Sequence, residues 1–290
     1  MSESFGNISE SRWRNFWNRG SWWKAVLFSV VYYVLYLTLP LLAKPFLTDV
    51  IDSDNLLSSS QSVFAAVIFP LILAAVMLVA FSISVGWWPR PLFSRQPVSR
   101  SAWMWLAPII VLIPITLRAF GTDYEQYSVS VIVTVFAAGA CVGFVEELLT
   151  RGLVVTMLRK AGHKEFIVAL LSSLIFALLH AGNLLTGQTL AQVGPTVLYT
   201  FAFGGLMYLT LRVTGNLIWP MILHGLTDPT TMLAAGGVDE QTIENQSALM
   251  AAVGPATVLL IVSGVVLLLF VRGRAQGVDT GPNLSNDVKI

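Results

Sequence analysis

The chain has 290 residues, of which 55% are hydrophobic and 11% charged, with a formal net charge of +1. A soluble domain carries about 25% charged residues, so a water-facing surface is excluded; about 160 apolar residues suffice for about eight spans at the ~20 residues that each bilayer-crossing helix needs. The near-neutral balance, with no basic stripe, also excludes a nucleic-acid partner, and the single cysteine, Cys141, excludes a disulfide framework or a cysteine-built metal site.

Apolar runs occur at about 25–43, 63–87, 102–117, 128–157, 166–180, 193–211, 217–235 and 248–271. They predict an all-α, polytopic transmembrane helix bundle of about eight spans. A cytoplasmic N-terminal tail, 1–24, precedes the helical domain, 25–271, and a cytoplasmic C-terminal tail, 272–290, follows it. The first run follows a basic region and ends in Leu41-Leu42-Ala43, as a signal peptide's core does, but it exceeds the roughly 7–15 apolar residues of such a core. Asn7-Ile8-Ser9 matches a glycosylation acceptor on the predicted cytoplasmic side, where the match has no consequence. Basic residues collect in cytoplasmic loops. With the N-terminus inside, 15 of the 17 fall there, leaving Lys44 and Arg118 outside. Asp49, Asp52, Asp54, Asp123, Glu125, Asp239, Glu240 and Glu244 fall in outer loops. Tryptophans such as Trp22, Trp23, Trp87, Trp88, Trp103 and Trp219 sit at predicted span ends, as an aromatic belt requires.

Ionisable side chains inside a span cost about 2.5–3.5 kcal/mol each on insertion, so those present are functional candidates. The fourth segment carries Glu146-Glu147-Leu148-Leu149-Thr150-Arg151, the fifth Phe176-Ala177-Leu178-Leu179-His180, and the seventh His224-Gly225-Leu226-Thr227-Asp228. Counted from Arg159, Lys164 and Arg212 at ~1.5 Å per residue, Glu146, His180 and His224 lie roughly 20, 24 and 18 Å from the cytoplasmic loops. Three helices thus bring Glu or His near one level. Four-residue spacing puts Glu147 and Arg151 on one face as an ion pair, whereas Glu146 points about 100° away. His224 and Asp228 share that spacing, which lets the carboxylate hold the imidazole in one orientation. A carboxylate with two imidazoles can bind Zn²⁺ or polarise a water directly. Gly139 and Gly143 form G-x-x-x-G, which lets a neighbouring helix approach the carboxylates. Pro220 is expected to kink or open the helix of His224. His163, among Arg159, Lys160 and Lys164, reads as an interfacial residue, and Asn183 as a cap or a partner of His180.

These three motifs resemble the CPBP group of intramembrane endopeptidases, which includes type II CAAX prenyl proteases and bacteriocin self-immunity (ABI-type) proteins. The resemblance covers about 125–235 and rests on E-E-x-x-x-R at Glu146, Glu147 and Arg151, F-x-x-x-H at Phe176 and His180, and H-x-x-x-[N/D] at His224 and Asp228. It implies hydrolysis of a peptide bond in a membrane-associated or lipidated peptide. Glu146 and His180 would activate water and the His224/Asp228 pair would assist at the carbonyl oxygen, with Glu147, Arg151 and Phe176 in support. Many members have Asn at the position of Asp228. Asn donates a hydrogen bond to an oxyanion and ionised Asp does not, so Asp228 is assigned to orienting His224. The group includes enzymes called metalloproteases and others described as metal-independent glutamate peptidases; zinc, if used, would take Glu146, His180 and His224. The expected partners are a peptide or protein substrate within the membrane and the lipid bilayer. The expected location is the plasma membrane, with both termini cytoplasmic. Two other readings accompany this one. A secondary transporter would use the same cluster as a proton or substrate pathway, though no matching set in the first half suggests repeat symmetry. A non-proteolytic scaffold or immunity protein would keep the fold without turnover.

Overall fold

The computed structural model of the chain describes residues 11–237 and 247–276; Asn7, Asp239, Glu240, Glu244 and Lys289 lie outside the described residues. Among the described residues there is no strand, and nine helices carry the architecture. These are α1 (Arg12–Asn18), α2 (Trp22–Leu42), α3 (Ser60–Ser84), α4 (Ala102–Gly121), α5 (Val129–Lys160), α6 (Glu165–Leu185), α7 (Leu190–Thr214), α8 (Ile218–Ala235) and α9 (Ala248–Leu268). Seven of them, α2 to α7 and α9, are long and apolar enough to cross a membrane. Large apolar side chains point outward along them, Val76 at 61% and Val262 at 55% exposure, which suits lipid rather than water.

The segment predicted at 217–235 forms α8, yet it falls below the apolar standard of the other seven. Its own polar and proline residues, His224, Asp228, Pro220 and Pro229, are the cause. Contacts flanking the first and last spans settle its place. Gly20, before α2, abuts the Met157 carbonyl near the end of α5, and the Glu165 N–H at the start of α6 donates to the carbonyl of Gly273, after α9, at 3.0 Å. Both ends of the bundle therefore lie on the face where α5 turns into α6. That requires an even number of crossings, and α8 is the eighth.

Helix α7 is the centre of the bundle, with 72% of its apolar window buried and with α4, α6, α8 and α9 packed around it. The pair that matters for function is α5 on α8. A Cβ at Gly143 would stand 2.3 Å from the Met221 carbonyl oxygen, and one at Gly139 would stand 2.5 Å from that of Gly225. The two backbones thus touch directly, and only glycine permits it. Pro220 lies in the first turn of α8, where a helix N–H has no intrahelical partner anyway, so it neither kinks nor opens the helix as expected. Pro229, inside α8, has no N–H to offer the Gly225 carbonyl. That carbonyl instead meets Gly139, where a Cα–H contact suits it.

Several charges assigned to loops from sequence serve as buried clamps. Arg159 grips Glu165 through Nε–Oε1 at 3.0 Å and Nη2–Oε2 at 2.8 Å, and the Tyr208 hydroxyl donates to the same carboxylate. Arg212 donates to the carbonyls of Ser99 at 2.9 Å and Arg272 at 2.6 Å, tying two loops together. Arg118, counted in an outer loop, is buried in α4. Trp87 also departs from the aromatic belt. It is buried, and its indole N–H donates to Asn18 Oδ1 at 2.8 Å.

Candidate active site

Helix α5 presents Glu146 and Glu147 immediately before a π-helical turn, Leu148–Val154. Such a turn re-aims the side chains around it and is frequent at functional sites. Glu147 is fully buried, and the equally buried Arg151 donates from Nη1 to its Oε1 at 3.1 Å. The same guanidinium donates to Thr150 Oγ1 and lies over the Phe176 ring, 4.6 Å from the centroid. A Cβ at Gly204 would come within 2.8 Å of Arg151 Nη2, so the α7 backbone passes against the pair.

Close packing of α5 on α8 brings His224 onto this group. Its Nδ1 stands 2.8 Å from Glu147 Oε1, while its Nε2 stands 3.6 Å from Glu146 Oε2 and 3.8 Å from Asp228 Oδ2. One oxygen of Glu147 thus takes both the Arg151 N–H and the Nδ1–H of His224. This differs from the expected division of roles. The local i, i+4 neighbour Asp228 does not reach Nδ1; the orienting hydrogen bond comes from Glu147, a residue remote in sequence on the helix against which α8 packs. Fixing the Nδ1 proton in this way makes Nε2 the nitrogen turned toward Glu146 and Asp228.

His180 comes from α6. Its Nδ1 lies 3.0 Å from the Phe176 carbonyl oxygen, which leaves Nε2 as the ring nitrogen available to a neighbour. The Phe176 ring stands edge-on to both imidazoles, at 4.8 Å from His180 and 5.7 Å from His224. It is the apolar wedge that spaces the two histidines. Glu146, His180, His224 and Asp228 all line one cavity of about 720 Å³, a size common for small-ligand sites. The candidates from three motifs are therefore brought to one chamber, while Glu147, Arg151 and Phe176 lie around or beneath it.

The chamber has walls that the motifs did not reveal. Phe203 of α7 packs on His224 with centroids 4.9 Å apart. Tyr32 and Tyr36 of α2, stacked at 6.2 Å, close the side nearest Glu146, and Arg118 of α4 and Tyr199 of α7 add a polar corner. The i, i+4 spacing of Tyr32 and Tyr36 was readable as a shared helix face; nothing local marked Phe203. Asn183 also lines the cavity, whereas His163 does not and stays in the turn between α5 and α6.

Among the described residues, no group of three His, Cys, Asp or Glu side chains has the spacing to hold a metal ion. Glu146 and His224 are close enough to share a cation, but His180 does not converge with them, so the set Glu146, His180 and His224 does not fit zinc in this conformation.

Residues 128–230, which run from the start of α5 into α8, match the family model described as Rce1-like, type II CAAX prenyl endopeptidase Rce1-like. No curated protein matches the chain. The matched segment contains Glu146, Glu147, Arg151, Phe176, His180, His224 and Asp228, the residues that form the chamber's reactive side and its support, and leaves out Arg118, Tyr32 and Tyr36. Over this segment the chain is similar to a type II CAAX prenyl endopeptidase, a match that supports the resemblance to the CPBP group of intramembrane proteases.

Proposed function

We propose that the protein is an endopeptidase that hydrolyses a peptide bond at or within the bilayer, with Glu146 as the base that activates water. The observation that carries this reading is the arrangement at His224, whose Nδ1 is held by Glu147 while its Nε2 faces Glu146 Oε2 across 3.6 Å. That gap is too long for a direct hydrogen bond and has the size a bridging water takes. Among the described residues Glu146 Oε2 has no hydrogen-bond partner, which suits a carboxylate whose task is to accept a proton from water.

In this mechanism Glu146 removes a proton from water as the oxygen attacks the peptide carbonyl. His224 enters as the imidazolium, with Glu147 accepting from Nδ1–H and stabilising the charge, and its Nε2–H donates a hydrogen bond to the oxygen that becomes negative and is kept through the cycle. The proton held by Glu146 then passes to the departing amine. His180, fixed by the Phe176 carbonyl, assists at the water. Asp228, whose Oδ2 lies 3.8 Å from Nε2, helps hold that nitrogen in place and, as an ionised carboxylate, does not itself donate to the oxyanion. No step requires a metal.

The charge pattern favours the end carrying Arg14, Arg100, Arg159 and Arg212 as the cytoplasmic face, and the reading adopted is cytoplasmic termini in a protein of the plasma membrane. The substrate is a membrane-associated or lipidated peptide segment that reaches the chamber from lipid or from that face. The test is cleavage of a membrane-peptide library by the protein in lipid nanodiscs: Glu146→Gln keeps size and removes the base, and full activity in that folded variant refutes the mechanism.

A further inference from the structure

We infer that Arg118 is a carboxylate-recognition residue that sets the direction in which a peptide lies in the chamber. This rests on the endopeptidase reading for its place in the reaction, though the binding itself does not.

Arg118 is only 8% exposed, sits in the last turn of α4 and lines the same cavity as Glu146 and His224. Of the described residues lining that cavity it is the only Lys or Arg. Its guanidinium lies beside the Tyr199 hydroxyl, yet Nη1 is buried with no hydrogen-bond partner among the described residues. A cation in a membrane-spanning segment is expensive, and an unsatisfied buried donor adds to that cost. A planar donor of this kind, next to a phenol, matches a carboxylate, which takes two parallel N–H or O–H bonds.

The rest of the chamber explains why the carboxylate belongs at this corner. Glu146 and Asp228 are acidic lining residues, and Asp228 acts on the Tyr199 phenol beside Arg118, so an incoming carboxylate is repelled by these two anions and finds its favourable partner only in the Arg118 guanidinium. A peptide with its scissile carbonyl at His224 and its carboxyl group at Arg118 satisfies both ends. The carboxylate is either the peptide's own C-terminus or an acidic side chain beyond the scissile bond.

The test uses full-length protein in nanodiscs titrated with three N-terminally dansylated leucine–alanine hexapeptides: one with a free C-terminal carboxylate, one amidated, and one amidated with glutamate as its last residue. The wild type should bind the free acid about 10-fold or more tighter than the amide. Arg118→Gln should bring the acid down to the amide's affinity and leave the amide unchanged, while Arg118→Lys keeps part of the preference. Equal binding of the glutamate peptide and the free acid assigns any carboxylate; binding of the free acid alone assigns the terminus. Equal wild-type affinities for acid and amide, no binding of any of the three, or an unchanged preference in folded Arg118→Gln overturns the inference. Because binding needs no turnover, an Arg118-dependent preference in a protein that cleaves nothing refutes the endopeptidase reading alone. Cleavage that ignores the carboxylate refutes this inference alone.

Discussion

Replacing Gly143 by alanine tests whether the contact between α5 and α8 builds the site. The added Cβ would stand 2.3 Å from the Met221 carbonyl oxygen and 2.6 Å from the Gly225 amide nitrogen. Both obstacles are backbone, so no rotamer change relieves them; the helices must separate by roughly 1 Å to restore ordinary contact. His224 and Glu147 sit one on each helix, so their 2.8 Å hydrogen bond lengthens past the limit for such a bond. A displacement of about 1 Å in a reacting group costs about 10²-fold in rate, and overpacking costs about 1–3 kcal/mol of stability. Gly194 and Gly254 supply the control, since a Cβ at either meets nothing within 4 Å; alanine there is expected to be neutral or to stabilise by up to about 1 kcal/mol. Peptide cleavage and thermal unfolding in the same detergent compare the three variants. Wild-type rate and melting temperature in Gly143→Ala would refute the claim that backbone contact positions His224.

Arg151→Ala leaves Glu147 as a buried carboxylate without its cation and should cost about 3–5 kcal/mol, read by thermal unfolding; an unchanged melting temperature would contradict the pairing. Glu147→Gln removes the charge that orients and stabilises His224 and leaves Arg151 a buried cation without its counter-ion, so the melting temperature should fall and the kcat of the fraction that stays folded should fall about 10- to 100-fold; a fall in KM alone would point elsewhere. Gly204→Ala presses on the side-chain end Arg151 Nη2 at 2.8 Å and more lightly on Ser173 Cα at 3.2 Å, so it should cost less than Gly143→Ala, about 1 kcal/mol, and an equal or larger loss would mean that neither neighbour can shift. A cysteine at position 55, with Cys141 replaced by serine, should resist labelling from the cytoplasmic side, and ready labelling from that side would reverse the topology.

Sequence revealed most where the causes were local. Spans follow from composition, and the Glu147–Arg151 pair follows from i, i+4 geometry on one helix. The Gly139/Gly143 stripe announced a close crossing, but which helix filled it depended on tertiary packing. The same limit explains His224. The i, i+4 spacing points to its local neighbour Asp228 as the orienting group, whereas Glu147 holds Nδ1 because Gly143 lets α8 settle against α5. Arg118 was hidden for a different reason. A single cation near the end of an apolar run reads as a loop residue, and only the cavity beside α4 shows that it faces inward. Pro220 misled because a proline inside a hydropathy segment is not thereby inside the helix; α8 begins at Ile218.

Hydrolysis by purified protein and by Glu146→Gln, each with and without a zinc chelator, tests the central claim most directly. The account predicts that the wild type cleaves a membrane peptide at the same rate with chelator present, and that Glu146→Gln, folded to the same melting temperature, shows no turnover. Full cleavage by Glu146→Gln would contradict Glu146 as the base. Loss of wild-type activity on chelation, restored by added Zn²⁺, would contradict a water activated without metal and require His180 to move toward Glu146 and His224.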